Sequence, residues 1–293
     1  MVVIISDYND VSTHEVADWL SYYNIEFDIF EFNDLINTKH ATINVQRKSL
    51  KASCSFWMRK HSKIKESITS ALEISLLLTE MENNNCFWLN SYNDAFISKA
   101  KQLRIAKRIG LNIPNTIISG NRMDIGSFIE NRKCIIKRID LLHKNSNDSN
   151  YVWYTQIIKN VDSLPDGYFI IQEYIEKEFE IRSFYLEGKF YSMAIFSQLD
   201  EQTKIDFRKY NYDNPNRTIP IKLPKDIEKK LNSLFKELKM NSGSVDLILN
   251  KNEEYYFLEI NPYGQFNMVS KPCNYYIEES ISKKLSNPHE KIN

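Results

Sequence analysis

Two carboxylates and one amide near the end of the chain have residue types and spacing that suit a metal site. Residues 245–249 and 255–260 are rich in β-branched and aromatic residues, and the polar segment between them predicts a β-hairpin. Antiparallel pairing would bring Asp246 and Glu259 together, and Asn261 would project from the same face as Glu259. An oxygen-only cluster of this kind suits Mg²⁺ that is completed by phosphates. Two unrelated acids on a solvated hairpin are the alternative.

Two lysines have positions from which they could balance phosphate charge. Ser98 is predicted to cap a helix that Gly110 ends, which places Lys99 at the helix start. Lys137 lies inside the predicted strand 134–139, where an ammonium group is costly to bury unless it meets an anion.

Further candidate site residues come from two regions. One is the end of a strongly apolar predicted strand and the strand after it, and the other is the polar segment 198–220, which is typical of a functional loop or linker. They are Gln172, Glu173, Tyr174 and Ile175 at the strand exit, Glu180 and Arg182 on the next strand, and Arg208 and Arg217 in the loop. Solvated surface cations are the alternative for the two loop arginines.

The elements that must position these residues predict an α/β (α+β) fold. A β-α-β opening, whose helix starts at a predicted capping box at 12–15, indicates a small α/β lobe at residues 1–94. A second lobe follows at 95–174, and antiparallel strands predict a third at 175–293. Arg59, at the end of a predicted strand, is expected to be solvated rather than to bind a substrate anion.

Composition limits the function further. Lys plus Arg equals Asp plus Glu at 38 each, so no overall charge favours nucleic acid or a membrane surface. The first apolar run is too short for a signal peptide, and no run reaches the ~20 residues of a membrane span. The four cysteines lack metal or redox spacing. We therefore expect a cytoplasmic protein with reduced, structural thiols.

The polar candidates resemble, in order and spacing across residues 95–265, the motifs of the ATP-grasp ligases. The elements that carry this resemblance are Lys99, Lys137, the strand exit 172–175, Glu180-x-Arg182, Asp246 and Glu259-x-Asn261. The resemblance implies an ATP-grasp fold with an N-terminal pre-ATP-grasp α/β lobe, a small central lobe and a C-terminal antiparallel-sheet lobe that holds the metal site. It also implies ATP and Mg²⁺ as cofactors.

Longer motifs look like those of the grasp-with-spasm peptide maturases, which are relatives of the microviridin ligases that make graspetides. They are TKIDFRKYN (203–211), NRTIP (216–220), GSVD (243–246), LEINPYGQF (258–266) and CNYY (273–276). One departure is the loop 143–150, which has no glycine where many ATP-grasp enzymes carry a glycine-rich flap. Its closure over ATP is left open, and Lys144 could replace backbone contacts there.

The resemblance assigns a reaction and roles. ATP would activate a side-chain carboxylate of a bound peptide as an acylphosphate, and a hydroxyl or amine of the same peptide would then close an ω-ester or ω-amide ring. Asp246, Glu259 and Asn261 would hold Mg²⁺, and Lys99 and Lys137 would balance the phosphate charge of ATP. Residues 172–175 (Gln172, Glu173, Tyr174 and Ile175) would contact the edge of the adenine, and Glu180 would accept hydrogen bonds from the ribose hydroxyls. The catalytic residues would be Lys137, Arg182, Arg208 and Arg217.

Two rival functions stay open. One is an ATP-grasp ligase that adds amino acids to a protein tail or a small metabolite. The other is a nucleotide-binding module without turnover, against which the intact lysines and metal ligands argue. The expected partners are a precursor peptide with leader and core, and a second copy of the chain in a homodimer, with no nucleic acid and no membrane.

Overall fold

The computed structural model describes residues 1–31, 55–59, 76, 79, 86–91, 97–139, 142–144, 150–152, 154–162 and 164–290. Its strands are Val2–Ile5 (β1), Phe27–Phe30 (β2), Ser55–Met58 (β3), Phe87–Leu89 (β4), Thr116–Ser119 (β5), Cys134–Arg138 (β6), Leu142–Lys144 (β7), Asn150–Val152 (β8), Gln156–Ile158 (β9), Phe169–Glu173 (β10), Lys177–Leu186 (β11), Lys189–Ile195 (β12), Thr218–Ile221 (β13), Ser242–Asn250 (β14) and Tyr255–Asn261 (β15). The helices are Val11–Tyr22 (α1), Lys99–Arg108 (α2), Arg122–Ile129 (α3), Lys225–Glu237 (α4), Asn267–Cys273 (α5) and Ile277–Ser286 (α6), with a 3₁₀ turn at Ser197–Leu199. The predicted α/β (α+β) class is confirmed.

The first sheet is parallel and has the strand order β2-β1-β3-β4. The helix α1 packs on it through Val16 and Leu20. The capping box predicted at 12–15 is wrong, because Asp10 caps the helix two residues earlier. The Asp10 carboxylate accepts from both the backbone N–H and the hydroxyl of Thr13, and a negative charge is favoured at a helix N-terminus.

The central sheet is antiparallel, with the order β5-β10-β6-β9, and α3 packs on it through Ile125. The strands β7 and β8 form a separate antiparallel hairpin. The loop predicted at 143–150 is therefore partly a hairpin, and the strand predicted at 151–158 is split into β8 and β9. Backbone groups of the two hairpin segments pair with each other, which the polar sequence did not indicate.

The third sheet is antiparallel, has the order β13-β12-β11-β14-β15 and is buried on both faces. One face packs on α2 and α4. The other packs on α5, α6 and the first sheet. The helix α2 falls inside the predicted central lobe but packs on this third sheet, so it joins two parts of the chain. The lobe boundaries after residues 94 and 174 stay predictions.

Part of the N-terminal region lies outside the described residues. The helix predicted at 64–81 is described only at residues 76 and 79, which are helical. Among the described helices, none has the length and apolar character needed to cross a bilayer.

Replacing Leu234 on α4 by alanine should destabilise the protein. Leu234 is fully buried against the third sheet, so Leu234→Ala removes apolar contacts and leaves a cavity. We expect the free energy of unfolding to fall by about 2–5 kcal/mol, measured by urea unfolding followed by circular dichroism. Lys229→Ala, at an exposed position of the same helix, is the control and should have a much smaller effect. Equal effects of the two changes would contradict the assigned core.

Candidate active site

A cavity of about 580 Å³ lies where the three large sheets meet. Residues that follow strands of the first sheet, residues of the central sheet and residues of the third sheet all line it. The predicted site residues among them are Lys137, Glu173, Tyr174, Ile175, Glu180, Arg182, Arg208, Asp246, Glu259 and Asn261. The structure therefore brings together most of the residues that were predicted from the sequence.

The hairpin β14–β15 positions the two acids. Asp246 and Glu259 are direct cross-strand partners, and the register shifts immediately after Asp246. Directly opposed residues on an antiparallel pair project from the same face, so both carboxylates face the cavity. A register shift of this kind re-aims side chains, and such irregularities are frequent beside functional sites. The predicted hairpin is confirmed.

Each of these acids has a cation beside it. Arg182 is the β11 partner of Asp246 in the register, and its Nη1 donates to both carboxylate oxygens, at 3.1 and 3.2 Å. Lys99 does not line the cavity, but its Nζ lies 2.7 Å from Glu259 Oε2. The helix cap at Ser98 places Lys99 there, as predicted, because the Ser98 side chain accepts from the backbone of Lys101.

Burial and neighbouring charge act differently on the two acids. Burial opposes ionisation of Glu259, but the ammonium groups of Lys99 and Lys137 outweigh it and hold the pKa of Glu259 at about 2. Burial raises the pKa of Asp246, and the Glu259 charge adds to this effect against the opposing charge of Arg182. Burial lowers the pKa of Lys137, which the Glu259 charge partly offsets. Ionisation of either acid therefore depends on the surrounding cations.

Glu180 lies on β11 and is buried. Its Oε1 pairs with the ammonium group of Lys177, which the sequence reasoning missed. Burial raises the pKa of Glu180 against the opposing effect of Lys177. Its other oxygen, Oε2, is buried without a hydrogen-bond partner in the described part of the chain. This oxygen can accept a hydrogen bond from a hydroxyl group in the cavity. The spacing Lys177-x-x-Glu180 is the signal that could have drawn attention to the lysine.

The loop 198–220 brings an acid that was also missed, Asp206, to the cavity. Asp206 accepts from Arg208 Nε at 2.8 Å and from the backbone N–H of Thr155 at 2.9 Å. Burial opposes its ionisation, but these contacts together lower the pKa of Asp206 to about 2. Arg208 therefore has a fixed partner, and the loop is bonded to the central part of the chain.

Besides Lys99, two predicted residues do not line the cavity. Gln172 is buried, and its amide donates to Thr116 Oγ1 at 3.1 Å. Arg217 is exposed, with its guanidinium 5.8 Å from the centre of the Phe196 ring. Their assigned roles at the adenine edge and in catalysis have no support from this geometry.

The backbone at the strand exit is partly occupied. The amide of Glu173 donates to Asn115 O, and the amide of Tyr174 donates to Lys133 O. Neither amide is available to the edge of a base in this structure. A backbone contact from residues 173–175 to adenine has to use a carbonyl group or the amide of Ile175.

Arg59 is buried, so the prediction of a solvated strand end is wrong. Its Nε lies 3.2 Å from Asp10 Oδ2, and its Nη1 donates to Tyr263 O at 2.5 Å. The guanidinium group of Arg59 is therefore bound by protein groups, whereas the sequence predicted that water would surround it. Both Asp10 and Arg59 line the cavity, and Asp10 was missed altogether.

Comparison with known proteins identifies the family. Residues 97–285, well over half of the chain, match the model of the RimK-like ATP-grasp domain. The chain belongs to the RimK-like ATP-grasp family. No curated protein sequence matches it significantly.

Solved ATP-grasp structures are similar along the whole chain. A Chryseobacterium gregarium RiPP-associated ATP-grasp ligase, in complex with ADP and a leader and core peptide, is 22% identical with a TM-score of 0.83, covering 100% of this chain and 98% of the other. The macrocyclase MdnC from Microcystis aeruginosa MRC, bound with precursor peptide MdnA, is 23% identical with a TM-score of 0.80. The match covers 98% of this chain and 100% of MdnC. D-alanine–D-alanine ligase from Bacillus anthracis, complexed with ATP, is 15% identical with a TM-score of 0.59, covering 99% and 98%. The predicted ATP-grasp fold is confirmed.

ATP-grasp enzymes use ATP, and the residues of the cavity fit a nucleotide and a divalent cation. Glu180 Oε2 is a buried acceptor without a donor, which fits a sugar hydroxyl. The carboxylate oxygens of Asp246 and Glu259, which oppose each other across the hairpin, are the hard ligands that Mg²⁺ prefers. In this structure Arg182 pairs with Asp246 and Lys99 pairs with Glu259. The remaining cations can balance phosphate charge.

The low pKa of Glu259 predicts a dependence of stability on pH. A carboxylate whose pKa is lower in the folded state stabilises the fold above its unfolded pKa and loses this contribution as the pH falls through its folded pKa. For Glu259 that window extends from about 4.5 down to about 2. We therefore expect the free energy of unfolding of the parent protein to fall, relative to Glu259→Gln, as the pH is lowered through this window.

Urea unfolding of both proteins from about pH 6 to about pH 3 measures this difference. Glu253→Gln removes an exposed carboxylate from the turn of the same hairpin and controls for the loss of one acid. A difference between the parent and Glu259→Gln that does not change with pH would contradict the cationic surroundings assigned to Glu259.

Proposed function

We propose that the protein activates side-chain carboxylates of a ribosomal precursor peptide with ATP and closes ω-ester or ω-amide rings. The observation that carries the proposal is likeness over the full length of two peptide-bound ATP-grasp structures, including the N-terminal parallel sheet outside the RimK-like domain. The TM-scores of 0.83 and 0.80 exceed the 0.59 found for D-alanine–D-alanine ligase. The homodimer and the cytoplasmic location stay predictions.

The reaction needs positioning and charge neutralisation rather than a protein nucleophile. The peptide carboxylate attacks the γ-phosphate, which gives an acylphosphate and ADP, and the second nucleophile of the peptide then displaces phosphate. Charge on the transferring group is spread over oxygens that cations must face. Lys137, Arg182 and Arg208 line the cavity and carry that role in the proposal.

Asp246, Glu259 and Asn261 are the proposed holders of Mg²⁺, which would neutralise phosphate charge. Lys99 contacts Glu259 from the side and keeps that carboxylate ionised. Glu180 is proposed to accept from the ribose through its unpartnered oxygen. Arg182 is proposed to meet the phosphate or the acceptor carboxylate, because a planar guanidinium suits either anion.

The mass of the peptide product tests this function. Closing a ring within one peptide expels water, so each ring should lower the mass by about 18 Da while ADP accumulates. The purified protein would be incubated with ATP, Mg²⁺ and the short peptide encoded beside its gene, and the product weighed before and after mild alkali. Restoration of the mass by alkali indicates esters, and resistance indicates amides. A mass increase would instead support the ligase that adds amino acids. An unchanged peptide mass would refute the proposed ring formation.

Substitution of the two hairpin acids should remove turnover while leaving the fold intact. Glu259→Gln and Asp246→Asn each delete an oxygen charge where phosphate charge develops, so we expect the rate of peptide modification to fall by about 10² or more. Glu253→Gln, on the exposed turn of the same hairpin, is the matched control and should retain parental activity. Near-parental rates for both acid variants would show that the metal site is misplaced.

A further inference from the structure

A further pair of opposite charges in the cavity comes from the first sheet. Asp10 follows β1 and Arg59 follows β3, and these two strands are neighbours whose Ile5 and Met58 pair in register. Asp10 is 7% exposed and Arg59 is 3% exposed, and both line the cavity. Ligands of open α/β sheets bind at the carboxyl ends of the strands, which is where both residues lie.

The contacts of the Asp10 carboxylate are one-sided. Its Oδ2 accepts from the backbone N–H and the hydroxyl of Thr13, at 3.2 and 2.8 Å, and lies 3.2 Å from Arg59 Nε. Within the described part of the chain, every hydrogen bond that the carboxylate accepts goes to Oδ2, and none goes to Oδ1. Capping the helix and pairing with the arginine therefore occupy one oxygen, and the other can accept a proton from a ligand.

Arg59 connects this acid to the candidate metal site. Its Nη1 donates to the carbonyl oxygen of Tyr263, whose own N–H donates to Asn261 Oδ1 at 3.1 Å. Its guanidinium also lies 5.7 Å from the centre of the Phe266 ring. One ion pair and two hydrogen bonds thus connect Asp10 to the loop that follows the proposed metal ligands. A group held this firmly can orient a reactant.

The other acids of the cavity are assigned to the metal or the ribose, or are bonded to residues of the loop or the central sheet, as Glu173 is to Asn115. Asp246 and Glu259 face each other at the proposed metal site, and Asp206 is bonded to Arg208. Glu180 is paired with Lys177. A hydroxyl or amine that attacks an acyl group must give up a proton, and a carboxylate within reach is the usual acceptor.

We propose that Asp10 and Arg59 form the subsite for the incoming hydroxyl or amine of the peptide, with Asp10 Oδ1 as the proton acceptor. The proposal rests on the ring-forming function given above. The nucleophile's oxygen or nitrogen bonds to the acyl carbon, the bond from that carbon to the phosphate oxygen breaks, and phosphate leaves with the electron pair. The nucleophile's proton passes to Asp10. Arg59 is a positioning residue that holds the carboxylate through Oδ2.

Hydroxylamine separates this step from carboxylate activation. It traps an acylphosphate as a stable hydroxamate without needing the subsite for the peptide nucleophile. Asp10→Asn keeps an oxygen that can cap α1, because asparagine ranks with aspartate at this position. With the peptide encoded beside the gene, ATP and Mg²⁺, we expect ring formation to fall by about 10² or more, while hydroxamate formation in hydroxylamine stays at the parental level.

Two further variants keep the test decisive. Asp10→Ser also caps a helix but has no carboxylate, so it should give the same separation of the two products. Thr13→Val removes the hydroxyl that bonds to Asp10 and lies outside the cavity lining, so it should perturb the cap without separating them. Loss of both products, or retention of both, in the Asp10 variants would overturn the subsite. Absence of hydroxamate with the parent protein would instead refute the proposed function itself.

Discussion

The opposition of Asp246 and Glu259 across one hairpin is the constraint on which the rest of the cavity depends. Like charges directly opposite on paired strands repel, and burial increases the penalty. The structure meets this penalty with Arg182 on the neighbouring strand and Lys99 at the start of a helix. The third sheet and the second helix must therefore meet at this point. The cations assigned to phosphate binding are thus also required to keep the unliganded acids ionised.

The loop after β15, the strand that carries Glu259, is held from two sides. Asn90, which follows β4, donates from Nδ2 to Pro262 O at 3.2 Å, and Arg59, which follows β3, donates to Tyr263 O. Residues at the ends of two strands of the parallel sheet therefore bind the loop from one side. On the other side Gly264 packs against Ser244 so closely that any Cβ would overlap that side chain. A residue larger than glycine would displace the segment that carries Asn261. The N-terminal sheet therefore shapes the site as well as contributing residues to it.

Local signals explain what could be predicted from the sequence. The acid hairpin has two segments rich in β-branched and aromatic residues with a polar turn between them, and the helix of Lys99 has both a cap and a glycine stop, so neither depends on distant residues. Gln172 shows the limit of such reasoning. The strand pattern places it correctly on β10, but its burial against Thr116 depends on a partner strand more than fifty residues earlier. Asp10, Asp206 and the burial of Arg59 were missed for the same reason.

Three contacts between distant parts of the chain converge on the cavity: Lys99 with Glu259, Thr155 with Asp206, and Arg59 with Tyr263. Each joins segments that are far apart in the sequence, and each involves a charged group that would be costly to bury alone. The charges of the site are therefore compensated only when the sheets are assembled around it. This explains why residues far apart in sequence, with little local pattern, supply much of the cavity lining. It also explains why a family model that begins at residue 97 cannot describe the whole site, because two of the lining charges precede it.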